Sequence, residues 1–87
     1  MPTILIPPLM RPLTAGEARV QVTGRTVREA IAALEARYPG VQARLCEGDQ
    51  LASELAVVVN GRLSRLGLLH PIGPESDVRF IAAIEGG

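Results

Sequence analysis

Lysine and tryptophan are absent from this 87-residue chain, and cysteine and histidine occur once each. Without lysine the chain offers neither a Schiff-base residue nor the lysine of a phosphate-binding P-loop. The single cysteine, Cys46, excludes an internal disulfide and a thiolate metal cluster. A hydrolytic triad would have to be built around the single histidine, His70, and one of only three serines. These residue types argue against a catalytic site, a bound cofactor or a metal site in this chain.

Net charge is also lacking, since nine arginines balance nine acidic residues. This balance excludes the electrostatic footprint of a nucleic-acid-binding protein. Apolar residues make up 47% of the chain, which is typical of a folded domain. The apolar runs are far shorter than the ~20 residues of a membrane span, and no signal peptide is recognisable. We therefore expect a single cytoplasmic domain over residues 1–87 that is monomeric when free and binds neither nucleic acid nor membrane.

The first part of the chain has the pattern of two strands. Thr3–Ile6 is a β-branched apolar run that ends at Pro7-Pro8, where a helix could not continue. Arg19–Val22 alternates polar and apolar residues, as a half-buried strand does. The two strands are predicted to form a hairpin with a long loop, in which Thr14–Gly16 reads as a turn.

A helix is predicted over Thr26–Tyr38. Thr26 and Glu29 form a capping box, in which the hydroxyl accepts from the Glu29 amide and the carboxylate reaches back to the Thr26 amide. Pro39-Gly40 ends the helix, and Val41–Cys46 has the spacing of one further helical turn. The helix carries one apolar stripe, formed by Val27, Ala30, Ile31, Leu34 and Tyr38.

The second half of the chain is predicted to contain three strands. Leu55–Val59 is a strongly apolar strand, Asn60-Gly61 is a hairpin turn, and Arg62–Ser64 is the short return strand. Val78–Ile84 is the last strand. Glu47–Gln50 reads as a polar break, and the irregular stretch before the last strand is expected to place three apolar residues beneath the sheet: Leu68, Leu69 and Ile72. This element order predicts an α+β fold, with a mixed sheet of four to five strands and one main helix across one face.

The chain ends on two glycines, Gly86 and Gly87, directly after the predicted last strand. At a glycine frequency of ~7% this occurs by chance in roughly one chain in two hundred. A terminal carboxylate that ATP has adenylated can be attacked by sulfur, an amine or a thiol. Glycines pass a narrow channel and adopt backbone angles that other residues do not. We expect Gly87 to be the reacting residue, Gly86 the joint of a flexible tail, and Ile84 and Glu85 the residues that a partner grips.

Four segments together resemble the ThiS/MoaD family of β-grasp, ubiquitin-like sulfur carriers, and the resemblance covers essentially the whole chain. Two shorter stretches that overlap these segments, Arg11–Thr14 and Leu34–Gly40, are most similar to the branch that delivers sulfide for cysteine synthesis, the CysO type. The four segments are the strand exit Ile6–Thr14, the capped helix Thr26–Tyr38, the strand Val57–Gly61 and the tail Val78–Gly87.

The resemblance implies a carrier and not an enzyme. A ubiquitin-activating-type enzyme would use ATP to adenylate Gly87, and a sulfur donor would convert it to a thiocarboxylate. An acceptor synthase would then take the sulfur for cysteine, molybdopterin or thiamine thiazole synthesis. The carrier itself would bind no cofactor, and catalysis would belong to its partners.

A docking surface is predicted from the alternation of side chains along the last strand. Val78, Phe80 and Ala82 share one face, whereas Arg79, Ile81 and Ala83 share the other. Because the helix covers only one face of the sheet, Ile81, which lies beside Arg79, is expected to be exposed. Leu63 is placed to belong to the same exposed surface. The family resemblance implies that apolar residues at these positions contact the partner. The alternative is that Ile81 and Leu63 are ordinary core residues.

Other functions remain open at this point. A protein modifier conjugated to lysines through Gly87 would share both fold and tail, and so would the small subunit of a molybdopterin synthase. Another possibility is a β-grasp module that binds its partner non-covalently, in which case the terminal diglycine is incidental to function. A small enzyme is disfavoured by the shortage of histidine, lysine and serine.

Overall fold

The computed structural model describes residues 1–83. The elements follow in chain order as β1 (Thr3–Leu5), a 3₁₀ helix (Pro8–Thr14), β2 (Arg19–Gln21), α1 (Val27–Arg37), α2 (Val41–Leu45), β3 (Cys46–Glu47), β4 (Gln50–Leu51), β5 (Leu55–Val59), β6 (Arg62–Leu63), a second 3₁₀ helix (Gly67–Leu69) and β7 (Asp77–Ala82). Among these residues, no helix is both long and apolar enough to span a bilayer.

Five strands form the main sheet in the order β2-β1-β7-β5-β6. The central pair, β1 and β7, is parallel, and the other neighbouring strands are antiparallel. The sheet is therefore mixed, as predicted, and the first and last strands of the chain lie side by side at its centre. The predicted hairpin between the first two strands is confirmed.

The core lies between α1 and one face of the sheet. The predicted helical stripe is confirmed, with Tyr38 half-buried against the core and the other four members buried. The sheet residues that pack in the same cluster alternate along their strands, as a one-sided core requires: Ile4, Val20, Val57, Val59, Val78 and Phe80. The opposite face of the sheet is thus left without a helix.

The cap of α1 differs in one detail from the predicted capping box. The Thr26 hydroxyl accepts from the Glu29 amide at 3.2 Å, as expected. The Glu29 carboxylate accepts from the amide of Arg25 at 2.9 Å, one residue before the predicted donor. Two backbone hydrogen bonds hold the chain at the start of the helix: the Ile72 amide donates to the Arg25 carbonyl, and the Val27 amide donates to the His70 carbonyl. In this position the Arg25 amide reaches the Glu29 carboxylate.

Three other predictions needed correction. The polar break at Glu47–Gln50 is the tip of a hairpin formed by β3 and β4, whose two-residue strands are too short to show an alternating pattern. The turn expected to begin at Thr14 begins at Ala15, because Thr14 is the last residue of a 3₁₀ helix, Pro8–Thr14, whose Met10 side chain is buried. Leu69 is 70% exposed and does not lie beneath the sheet, because a three-residue 3₁₀ turn buries only Leu68.

The predicted extent of the last strand also shifts. β7 begins at Asp77, one residue before the predicted start, and ends at Ala82. The amide of Ala83 still donates to the carbonyl of Glu54 at 2.8 Å, which holds the chain against the sheet beyond the strand itself. The predicted final residue, Ile84, lies outside the described residues.

Gly24, between β2 and α1, is a position where a larger residue should be costly. Its φ is +154°, and a Cβ there would lie 2.8 Å from the backbone nitrogen of Ala30. We expect Gly24→Ala to lower the free energy of unfolding by about 3 kcal/mol. Gly16→Ala is the control, since its φ of +83° adds strain but no atom lies within 4 Å. Urea denaturation measures both, and equal midpoints for the two variants would contradict the close approach.

Candidate functional site

The last strand separates a buried face from an exposed one. Val78 and Phe80 point into the core with 0% and 4% of their surface exposed. Arg79 and Ile81 point away from the core, and both are exposed, which confirms the predicted face of Ile81. Ala82 is exposed as well and not on a buried face, because Phe80 is the last buried residue of β7.

The register of the sheet brings the predicted docking residues onto one surface. Val58 opposes Arg79 on one side and Leu63 on the other, so these three residues form a row across β7, β5 and β6. Ile81 lies opposite Ala56, next to this row. On the far side Leu5 pairs with both Arg79 and Arg19. We call this surface the open face; its residues are Leu5, Arg19, Ala56, Val58, Leu63, Arg79 and Ile81.

Apolar side chains on the open face are strongly exposed. Leu63 is 65% exposed and Ile81 is 40% exposed, while Val58 and Ala56 between them are half-buried. The alternative that Leu63 and Ile81 are core residues is therefore wrong. Exposed large apolar residues that adjoin on one surface are typical of an interaction site.

The turn after β5 fixes the position of Leu63 relative to β7. Asn60 and Gly61 adopt φ of 52° and 81°, the left-handed pair that a tight two-residue hairpin requires. The Asn60 side-chain oxygen accepts from the backbone amide of Asp77 at 2.8 Å, and the backbone amide of Asn60 donates to the Asp77 carbonyl at 2.9 Å. These bonds tie the hairpin to the first residue of β7, so that Leu63 and Arg79 are presented on a common rigid frame.

The predicted reacting tail follows this frame directly. Ile84, Glu85, Gly86 and Gly87 lie outside the described residues, so the roles assigned to them remain predictions. The last described contact of the chain is the bond from Ala83 to Glu54. If the tail reacts as predicted, its four residues beyond Ala83 can span at most ~14 Å.

His70 and Ser64 form the one hydrogen-bonded pair of a nucleophile and a base that the described residues contain. Their Nδ1 and Oγ atoms are 2.7 Å apart. The Ser64 hydroxyl oxygen also accepts from the amides of Leu66 and Gly67. The serine oxygen is occupied by three hydrogen bonds that shape the loop after β6, which is a structural role.

Cys46 has the features of a buried structural thiol. It is half-buried, and burial raises the pKa of its thiol, with the nearby charge of Arg28 opposing the shift. A raised pKa lowers the thiolate fraction at neutral pH and with it the reactivity. Within residues 1–83 no group of three or more potential metal ligands is present.

Sequence analysis missed Leu5, Arg19, Ala56 and Val58 as members of the open face. The signal was present in part, since Leu5 lies between two buried isoleucines and Arg19 precedes a buried valine. Alternation alone places both residues away from the core. What no local pattern shows is that β1 lies beside β7, and this pairing puts Leu5 and Arg19 next to Arg79.

The sequence model of the ThiS family matches residues 4–87 of the chain. The sulfur carrier protein CysO of Mycobacterium tuberculosis is 32% identical over 90 residues, which cover 98% of this chain and 97% of that protein. CysO of Mycobacterium bovis matches to the same degree.

Solved structures show the same fold. The crystal structure of the Amycolatopsis orientalis BexX/CysO complex contains a chain that superposes with a TM-score of 0.90 at 32% identity, covering 100% of both chains. M. tuberculosis CysO superposes with a TM-score of 0.87 at 30% identity, covering 97% of this chain and 100% of that one. Small archaeal modifier protein 1 of Methanosarcina acetivorans, at 19% identity and a TM-score of 0.78 over 99% and 95% of the two chains, shares the fold alone. The predicted β-grasp fold is thereby confirmed.

Proposed function

The chain belongs to the ThiS family and is a homologue of the sulfur carrier CysO, and on this premise we propose that it carries sulfur as a thiocarboxylate on Gly87. The observation that carries the proposal is the extent of the match, since the family model runs to residue 87 and the CysO relative aligns over nearly its whole length. The last strand ends at Ala82, a hydrogen bond holds Ala83 to Glu54, and the next four residues finish in two glycines; this arrangement suits delivery of a reactive end.

The chemistry requires two steps at the Gly87 carboxylate. The carboxylate attacks the α-phosphorus of ATP and pyrophosphate leaves, which gives an acyl-adenylate. A donor then supplies sulfur at the oxidation level of sulfide, which forms the carbon–sulfur bond while AMP leaves. Gly87 has no side chain to shield the carbonyl carbon, and Gly86 can take backbone angles that a closed site imposes. No described side chain of the carrier takes part, so a separate adenylating enzyme performs the catalysis.

The open face is proposed as the surface that docks this enzyme and the acceptor. Leu63 and Ile81 provide exposed apolar area, and Arg79 lies in the same cross-strand row as Leu63, two residues before Ile81 on β7. The relative from A. orientalis was solved in complex with BexX, which supports a carrier that works by docking onto another protein. The same face can serve successive partners because it includes β7, the strand that precedes the tail in the chain.

An intact-mass measurement tests the thiocarboxylate. After incubation with the adenylating enzyme, ATP and a sulfur donor, we expect a gain of about 16 Da at Gly87 that survives dithiothreitol, whereas a persulfide on Cys46 would add about 32 Da and be reduced. Cys46→Ser is the matched control and should gain the same mass. A product lost on reduction, or absent from Cys46→Ser, would contradict the assignment. An isopeptide adduct on an added protein in place of the mass gain would favour the modifier hypothesis.

A further inference from the structure

A cleft of about 330 Å³ lies where β1 leaves the sheet, and three arginines line it. Arg19 comes from β2, Arg79 from β7, and Arg11 from the first 3₁₀ helix. No acidic residue is among the described residues that line the cleft. Since the whole chain has zero net charge, three guanidinium groups at one cleft are a marked local excess of positive charge.

The sheet register fixes two of these arginines. Leu5 pairs with Arg19 on one side and with Arg79 on the other, so both arginines flank the same leucine on the open face. Two strand spacings place their Cα atoms about 10 Å apart. Arg11 is held from the side, because its Nε donates to the carbonyl of Ile6 at 3.2 Å. The cleft is therefore a basic extension of the apolar part of the open face.

Within residues 1–83, none of the three cleft arginines forms an ion pair within 4 Å of an acidic side chain. Within residues 1–83 the single ion pair joins Arg28 to Asp49, at 3.7 Å and away from the cleft. Asp77 lies two residues before Arg79 on β7 and borders a neighbouring pocket with it, but it does not line the cleft. Arg19 and Arg79 are exposed, so their charges are available to a partner.

We propose that the arginine cleft receives carboxylates from an acidic segment of the adenylating enzyme while the apolar residues of the open face pack beside it. Arg19 and Arg79 project from separate strands whose Cα atoms are about 10 Å apart, and this arrangement suits two carboxylates of a protein segment better than one small anion. The inference rests on the proposed function and deepens it, since the cleft borders the part of β7 that leads to the tail. Complementary charge raises the rate of encounter and sets the docking orientation.

Charge reversal tests the proposal. Pyrophosphate release by the adenylating enzyme is measured with ATP and increasing carrier, for wild type, Arg19→Glu and Arg79→Glu. Each variant is expected to raise the KM for the carrier about tenfold at low salt, with kcat unchanged and with the difference shrinking at high salt. Arg44→Glu on α2 is the matched control, because it makes the same charge change at an exposed arginine outside the cleft, and its KM should stay within about twofold.

The outcomes separate this inference from the proposed function. If wild type releases no pyrophosphate, the proposed function fails. If wild type is active but Arg19→Glu and Arg79→Glu share its KM, if Arg44→Glu raises KM as much as they do, or if the rise in KM does not depend on salt, the arginine cleft does not recognise carboxylates. Arg19→Gln and Arg79→Gln remove the charge with less risk to folding, and we expect them to raise KM about threefold, again at low salt only.

Discussion

Removal of Gly87 is expected to abolish adenylation and leave folding unchanged. Adenylation needs a carboxylate that reaches the α-phosphorus of ATP in the partner's closed site, and shortening the tail by one residue withdraws it by about 3.5 Å. A displacement of ~1 Å from the reacting geometry already costs about a hundredfold in rate, so the loss should be complete in practice. The residue follows the last described contact of the sheet, at Ala83, and we expect it to contribute little to stability.

Pyrophosphate release by the adenylating enzyme measures this effect, and urea denaturation measures stability in parallel. Gly87→Ala is the matched control, since it keeps the length and the carboxylate but adds a methyl group beside the reacting carbon. We expect Gly87→Ala to retain a reduced rate. Equal turnover by the shortened protein and wild type would rule out both the carrier and the modifier hypotheses, because each requires activation at Gly87.

Ile81→Asp is expected to weaken partner binding by about thirtyfold or more, which corresponds to the ~2 kcal/mol lost when an apolar anchor is removed from an interface. A carboxylate buried in that contact adds a desolvation cost. The same substitution should lower the free energy of unfolding by only about 1 kcal/mol, because Ile81 lies on the open face and opposes only Ala56 there. A pull-down or titration with the adenylating enzyme, beside urea denaturation, compares the two effects.

Two controls bracket this result. Leu69→Asp makes an equivalent change at a residue that is 70% exposed but outside the open face, and it should leave binding unchanged. Phe80→Asp places the charge in the core one residue before Ile81 and should unfold the protein. If Ile81→Asp unfolded the protein as Phe80→Asp does, or if it bound the enzyme as tightly as wild type, the open face would not be the docking surface.

The local pattern of the sequence determined those secondary elements whose signals lie among near neighbours in the chain. Thr26 and the apolar stripe predicted α1 within one residue at each end, because capping and helical periodicity depend only on neighbours up to four residues apart. Asn60-Gly61 predicted the hairpin for the same reason, since its residues tolerate the left-handed angles that the turn needs. The shortest strands, β3 and β4, were not predicted, because two residues are too few to show an alternating pattern.

The candidate site divides in the same way. The two terminal glycines and the alternation along β7 are properties of adjacent residues, so the sequence alone predicted Gly87 and the exposed side of Ile81 and Arg79. The arginine cleft required tertiary structure, because it forms only when β1 lies parallel to β7 and thereby sets Arg19 and Arg79 on either side of Leu5. That pairing joins the two ends of the chain. Its free energy comes from burial of Ile4 and Val78 against the helix, which no local pattern encodes.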